Sequence, residues 1–324
     1  MRRCPNAVVL LVFAILAATV RGEACAQGYP VKPVRVIVPN ATSGLADICA
    51  RLVAARLGEA LGQPFLVDNR PGAGGTLGTA AAVKSAPDGY TLLVVFDSHA
   101  TNPALFGNLP YDTLADLAPI SLLARGPLVL VVRPGLETAG VAEFVKLARA
   151  NPGAINFAAV GPGSPARLLT ELLKIEAGID VTLVGYKGAG TALADLVSGQ
   201  VDAMFATVPS VGAYVKAGRL RALAVTSPRR SAVLSGVPAM GESYPGFVSE
   251  AWVGLLAPAK TPPAILARLN AEVARILELP DTKARFSELG LETAPGSPEA
   301  LDRWIRAEMQ RWGRVIRRQG ITLE

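Results

Sequence analysis

Side chains able to do covalent chemistry are scarce in this chain. Its 324 residues hold one histidine, His99, and three cysteines. A histidine-rich metal site is therefore excluded. A Ser-His-acid triad would have to use His99, and a structural or ligand-contacting histidine is the better reading. No serine sits in a G-x-S-x-G elbow: Ser164 comes nearest, but Pro162 and Ala166 stand where the flanking glycines belong. There is no P-loop. The run Gly72–Gly78, GAGGTLG, raises a dinucleotide site. Its spacing does not give G-x-G-x-x-G, and an exported protein meets little reduced nicotinamide cofactor. A tight turn with close strand–helix packing accounts for it better. What recurs instead is a strand end, a small glycine-bearing loop and a helix start, at 39–45, 97–101, 160–166 and 186–191. Free N–H groups and the positive end of the helix dipole suit an anion at such a place. Charge-assisted hydrogen bonds contribute roughly 1.5–3 kcal/mol each, so a few of them hold a carboxylate without catalytic groups.

Alternating strands and helices must position those loops, which argues for an α/β fold. The β-branched run Val34–Val38 reads as a strand buried on both faces. Pro39 ends it, and apolar residues from Leu45 to Leu57 recur at helical spacing until Gly62 closes the helix. Strands are expected at 64–69, 91–96, 154–159, 181–186, 203–207, 221–226 and 251–257. Helices are expected at 79–85, 141–150, 167–177, 191–198, 262–277 and 281–289. The segment 97–103 reads as a loop. Residues 120–132 read as extended, broken at Arg125-Gly126-Pro127, and carry the chain from one lobe to another; 221–226 returns it. The last helix is marked by Ser297 as N-cap, Pro298 at its first position and Gly320 near its end. Its arginines read as a solvated face.

With 51% hydrophobic and 18% charged residues, the chain is long enough for a large core and two lobes. Arg2 and Arg3, the apolar run Ala7–Val20 and the small-x-small site Ala24-Cys25-Ala26 read as a signal peptide cleaved after Ala26. Its removal takes away three arginines and one glutamate and lowers the formal charge from +6 to +4. It also leaves Cys49 alone, on the apolar helix face, so no intramolecular disulfide or cysteine cluster can form. Low aromatic content and scattered basic residues do not suggest nucleic acid.

Eight motifs in order resemble the Bug-type solute receptors, the periplasmic binding proteins of tripartite tricarboxylate transporters. They are YPVKPVRVIVP (29–39), ALGQPFLVDNRPGAGGTLG (60–78), APDGYTLL (86–93), NPALF with LPYDTLADLAPISLLA (102–124), ANPGAINFAAVGPGSP (150–165), GYKGAGTALADLVSGQVDAMF (185–205), GRLRALAVTSPRRS (218–231) and WVGLLAPAKTP (252–262). The resemblance spans the whole mature chain. It implies a two-lobed type II periplasmic-binding-protein fold with a ligand cleft between lobes. Lobe 1 is then residues 27–124 and 230–324, and lobe 2 residues 125–229. It implies a receptor for a small carboxylate (a dicarboxylate, hydroxy- or amino-acid), without catalysis or cofactor. Delivery to a two-subunit membrane permease follows, and a monomer is expected. Some relatives serve as sensors, so a receptor feeding a signalling partner is the alternative; an enzyme is a distant third.

Contacts carry over by position. The family's first loop usually reads P-F-A-P-G-G-x-x-D and holds a carboxylate by its backbone. Here it is Pro39-Asn40-Ala41-Thr42-Ser43-Gly44-Leu45-Ala46-Asp47. Asn40 replaces the usual aromatic and Thr42-Ser43 replaces Pro-Gly, which predicts a more polar pocket. Asp47 matches, and a helix first-turn acid satisfying backbone donors is favoured over ligand contact. Lys187-Gly188-Ala189 matches a loop whose backbone faces the ligand, with the Lys187 side chain open between solvent and ligand. Gly161, Gly163 and Ser164 match another contact loop. Arg167 stands where the family commonly has histidine, and is balanced between a surface helix residue and an anion contact through its planar fork. Asp202 and Thr207 flank a short strand near the pocket; an acid there receives a ligand ammonium or orients a loop. Ser98 and His99 match the cleft loop of the first lobe.

Overall fold

A computed structural model describes residues 28–321 apart from Ser43, Pro162 and Lys187. The proposed signal peptide lies outside the described residues. The strands are β1 (Val34–Val38), β2 (Phe65–Asn69), β3 (Thr91–Phe96), β4 (Leu117–Val132), β5 (Asn156–Val160), β6 (Thr182–Tyr186), β7 (Ala203–Thr207), β8 (Arg221–Val225), β9 (Glu250–Pro258) and β10 (Glu292–Thr293). Helices α1 (Leu45–Leu61), α2 (Thr76–Val83) and α3 (Ser98–Leu105) interleave with the first strands. Then come α4 (Val141–Ala150), α5 (Pro165–Ala177), α6 (Ala189–Ser198) and α7 (Val208–Lys216), followed by α8 (Pro263–Glu278), α9 (Pro280–Glu288) and α10 (Pro298–Gln319).

The strand order is β2-β1-β3-β9-β4-β7-β5-β6, with β8 and β10 also paired to β4. β1 runs parallel to β2 and β3, and β5 parallel to β6 and β7. These are the α/β halves of two lobes. The 16-residue β4 joins them. From Leu117 to Pro127 it pairs with β9, and from Leu128 to Val132 with β7 and β8. The expected break at Arg125-Gly126-Pro127 is absent: the strand runs through. Pro127 falls where the neighbouring strands change, a point at which a missing backbone donor is tolerated.

Two helices escape the sequence pattern. α3 forms from the polar segment Ser98–Leu105 although Pro103 lies within it. Its His99, Ala100, Thr101 and Asn102 are all buried, so packing outweighs weak helix propensity. α7 follows Thr207 with Pro209 in its first turn, the signature of a helix start.

The strand interiors carry the core. Val34, Ile37, Leu93, Val129 and Phe157 are all fully buried. Phe205 lies between Phe157, tilted against it with ring centroids 5.7 Å apart, and Phe247, stacked on it at 6.3 Å. Trp312 on α10 is buried and donates to Glu308 at 2.8 Å.

Candidate functional site

The first loop is built by close packing from behind. A Cβ on Gly78 would lie 2.7 Å from the Pro39 Cβ and 2.8 Å from the Arg70 carbonyl. Only glycine lets α2 approach the end of β1 that closely, which is the work done by the glycine-rich run. Asn69 Nδ2 donates to the Asn40 carbonyl at 3.2 Å and to Asp47 Oδ1 at 2.9 Å. Arg51 reaches both Asp47 and Asn69. Asp47 is thus a buried brace inside α1, tied through Asn69 to the Asn40 carbonyl of the first loop.

In the second lobe three more helices begin at strand ends. Ser164 caps α5, its Oγ accepting from the Arg167 backbone N–H at 3.3 Å. Gly188, extended, leads into α6. Thr207 ends β7 and leads into α7, and its hydroxyl pairs with Ser210 Oγ at 2.8 Å.

These helix starts meet around a cavity of about 200 Å³, smaller than the roughly 300–1,000 Å³ of drug-sized sites. Asn40 and Gly44 line it from the loop before α1 and Ala46 from α1, Ser164 from the cap of α5 and Ala166 from α5, Ala189 from α6, Thr207 from the cap of α7 and Ser210 from α7. Strand ends supply the walls: Phe96 of β3, Leu128 of β4, Val160 of β5, Met204 and Phe205 of β7. No charged side chain stands among the described lining residues. Four helix N-termini, each worth roughly half a positive charge, surround an apolar space reached from both lobes.

The expected residues divide. Asn40, Gly44, Ser164, Ala189 and Thr207 line the cavity. Ala41 and Thr42 are exposed outside it, and Ser43 and Lys187 lie outside the described residues. Gly161, at φ +64°, donates to the Tyr186 carbonyl at 3.0 Å and shapes the turn into α5. Gly163 faces the other lobe: its carbonyl accepts the Thr101 hydroxyl of α3 at 2.9 Å. Gly188 stands one residue before the lining Ala189. Arg167 is half-buried but not a lining residue.

Asp202 lies at the far end of β7 from Thr207. It pairs with Arg133 at 2.7 Å and accepts from the Asn156 backbone at 2.8 Å. Ser98 and His99 sit on α3 and are not lining residues. His99 is buried with neither ring nitrogen hydrogen-bonded, and burial pulls its pKa down to about 4. Asp97 beside it is pushed well above the usual carboxylate range by burial and the Glu308 charge.

The described wall is largely apolar beside Asn40, Ser164, Thr207 and Ser210. Thr42 turns outward, whereas the strand ends that form the wall carry core-like residues. Those residues, and Ser210, escaped the sequence reading because apolar strand ends look like core; Pro209 after Thr207 was the one available signal for α7.

Two α/β lobes joined through crossing strands, with helix N-termini from both around one cavity, define a periplasmic binding protein. The comparisons narrow the class. Residues 49–321 match the TctC family, described as the tripartite tricarboxylate transporter family receptor. BugT of Bordetella pertussis is 38% identical over 321 residues, covering 98% of each chain. Among solved structures, an R. palustris protein with adipate superposes with a TM-score of 0.86 at 35% identity, covering 90% of this chain and 99% of that one. MatC from Rhodopseudomonas palustris with bound malate gives 0.80 at 35% identity, covering 89% and 100%. The chain belongs to the tripartite tricarboxylate transporter receptor family, a family of periplasmic solute-binding receptors.

Proposed function

We propose that the protein captures a small carboxylate in the interlobe cavity and delivers it to the membrane permease subunits of a tripartite tricarboxylate transporter. The observation that carries this reading is the convergence of four helix N-termini, from α1, α5, α6 and α7, on one apolar cavity. Such a site stabilises a negative charge with N–H groups and dipoles and needs no side-chain counter-ion. Relatives solved with adipate and malate support it. In this reading residues 27–124 with 230–324 and residues 125–229 act as two units that close on the ligand. The chain works as a monomer after cleavage behind Ala26. Asn40, Ser164, Ala189 and Thr207 provide the contacts, Gly44 and Gly188 set the loop backbones, and Asp47 braces the first loop.

The test is a thermal-shift screen of residues 27–324 against a carboxylate library, after unfolding and refolding to strip carried-over ligand. A ligand at a hundred times its dissociation constant adds about 2.7 kcal/mol of stability. A carboxylate hit with a clear upward shift is the expected result. A library without one removes the carboxylate reading.

A further inference from the structure

A second space lies beside the crossing strands. It measures about 410 Å³, against about 200 Å³ for the cavity at the helix starts. Three points on the crossing segments frame it: Arg125 in β4, Arg229 in the segment that follows β8, and Glu250, the first residue of β9. The loop between α9 and β10 adds Ser287, Gly290 and Glu292. Pro127, Val233 and Leu291 supply apolar lining. The loop is packed on the joint: a Cβ on Gly126 of β4 would lie 2.7 Å from Leu291 Cδ2. On its other side a Cβ on Gly290, at φ +70°, would run into Val208. Val208 opens α7, beside Thr207 and two residues before Ser210, and both of those line the first cavity.

The charges of this groove are poorly matched at short range. Arg125 stands 3.6 Å from a Glu250 oxygen and 4.0 Å from a Glu292 oxygen, too far for hydrogen bonds. Its Nε is buried without a partner. The Glu250 side chain is only 13% exposed, and among the described residues that long pair is all that holds it. Burial pushes its pKa up. In the segment after β8, Arg230 is committed to Glu242 through two hydrogen bonds, whereas Arg229 makes no ion pair among the described residues. A lone anion in the groove would meet Glu250 and Glu292. A lone cation would meet Arg125 and Arg229. A molecule that carries both charges satisfies both sets through charge-assisted hydrogen bonds, and the apolar lining favours a hydrocarbon side chain on it.

We propose that this groove is a second binding site, for an α-amino acid with an apolar side chain. Its carboxylate is taken by Arg125 and Arg229 and its ammonium by Glu250. The contact of Gly290 with Val208 passes occupancy of the groove to the start of α7. The site goes beyond the carboxylate-receptor reading and stands without it.

The probes are L-leucine and its two halves: 4-methylpentanoate, which lacks the ammonium, and 3-methylbutylamine, which lacks the carboxylate. Each is titrated into the isotope-labelled, refolded mature protein, and backbone amides are followed by NMR. The amides of Gly126, Ser231, Gly290 and Leu291 should shift saturably with leucine. Its dissociation constant should lie about tenfold or more below that of either half, the worth of one charge-assisted interaction. Arg229→Gln and Glu250→Gln should each weaken leucine by a similar factor. Melting temperatures without ligand check folding, and the exposed Arg229 carries the test if Glu250→Gln does not fold. The amides of Val208 and Ser210 should move with the same dissociation constant as those of the groove. Groove amides that stay in place, shifts confined to the first cavity, or full leucine binding by Arg229→Gln overturn the second site and leave the carboxylate reading intact. Equal binding by either half overturns the amino-acid assignment. Unmoved Val208 and Ser210 amides overturn the link to α7. A carboxylate library without a hit overturns the carboxylate reading and leaves this site standing.

Discussion

Replacing Gly163 by alanine separates closure of the lobes from their stability. Gly163 lies in the loop after β5, and its carbonyl accepts the Thr101 hydroxyl of α3 at 2.9 Å. That bond crosses from one lobe to the other. A Cβ on Gly163 would run into Leu105 Cδ1 and stand 3.4 Å from Thr101 Oγ1. Leu105 is largely buried, so its side chain must leave its present rotamer to make room. Overpacking of this kind costs about 1–3 kcal/mol, and loss of the hydrogen bond adds about 0.5–1.5 kcal/mol. Together they remove roughly 2–4 kcal/mol from the closed arrangement. The two surfaces part when the lobes separate, and Gly163 is not in the left-handed region, so the open form bears none of this cost. Ligand affinity should therefore fall roughly 30- to 700-fold at 1.4 kcal/mol per decade. The melting temperature without ligand changes only by the share of closed molecules. Calorimetry with the best carboxylate reads the loss. Adding Leu105→Ala restores the space, and the double variant should recover much of the affinity. Wild-type binding by Gly163→Ala would refute the reasoning, as would a loss that Leu105→Ala leaves untouched.

Two further perturbations address the supports of the site. Ser164→Ala removes the N-cap of α5 and should lower unfolding stability by about 0.5–2 kcal/mol, read from urea denaturation; a cap that contributes nothing would leave the midpoint in place. His99 supplies a pH signature. Its folded pKa of about 4 lies below the ordinary 6.5, so the unfolded chain takes up the proton first. Stability is then full above about pH 6.5 and declines as pH falls toward 4, by up to about 3 kcal/mol. Asp97, shifted upward, acts in the opposite sense: its contribution is present at low pH and is lost as pH rises. The difference between wild type and His99→Gln isolates the histidine, and parallel stability curves from pH 7 to 4.5 would show that it does not titrate this way.

Much of the framework is legible in the sequence, and the reasons are local. Val34–Val38 and Thr91–Phe96 are apolar enough to be buried strands in any arrangement, and Ser297-Pro298 marks the start of α10 unambiguously. α3 is not legible, because Ser98–Asn102 favours a loop until β3 and α10 enclose it. The loops at 39–45 and 160–166 are found by their glycines and prolines. Asp202 misleads: its neighbourhood in sequence is that of Thr207, but a strand of five residues carries it to the opposite end of the sheet. The cavity wall is hidden for a more general reason. Phe96, Leu128 and Met204 have the composition of core, and only the distance between the lobes makes them a surface.

β4 has a mechanical consequence. A strand that passes without interruption between two bodies is an axle, and its torsional stiffness sets how freely they turn. At Pro127 this axle has no amide hydrogen to commit to either side. The next residue, Leu128, donates to the Thr226 hydroxyl at 2.9 Å, while Thr226 returns its backbone N–H to the Leu128 carbonyl at 2.9 Å and its hydroxyl to the Ser249 carbonyl at 2.6 Å. The crossing strands are therefore held together at this point by Thr226 rather than by a donor from Pro127. A ligand shifts the balance between two settings of such bodies only by the difference in its affinity for them.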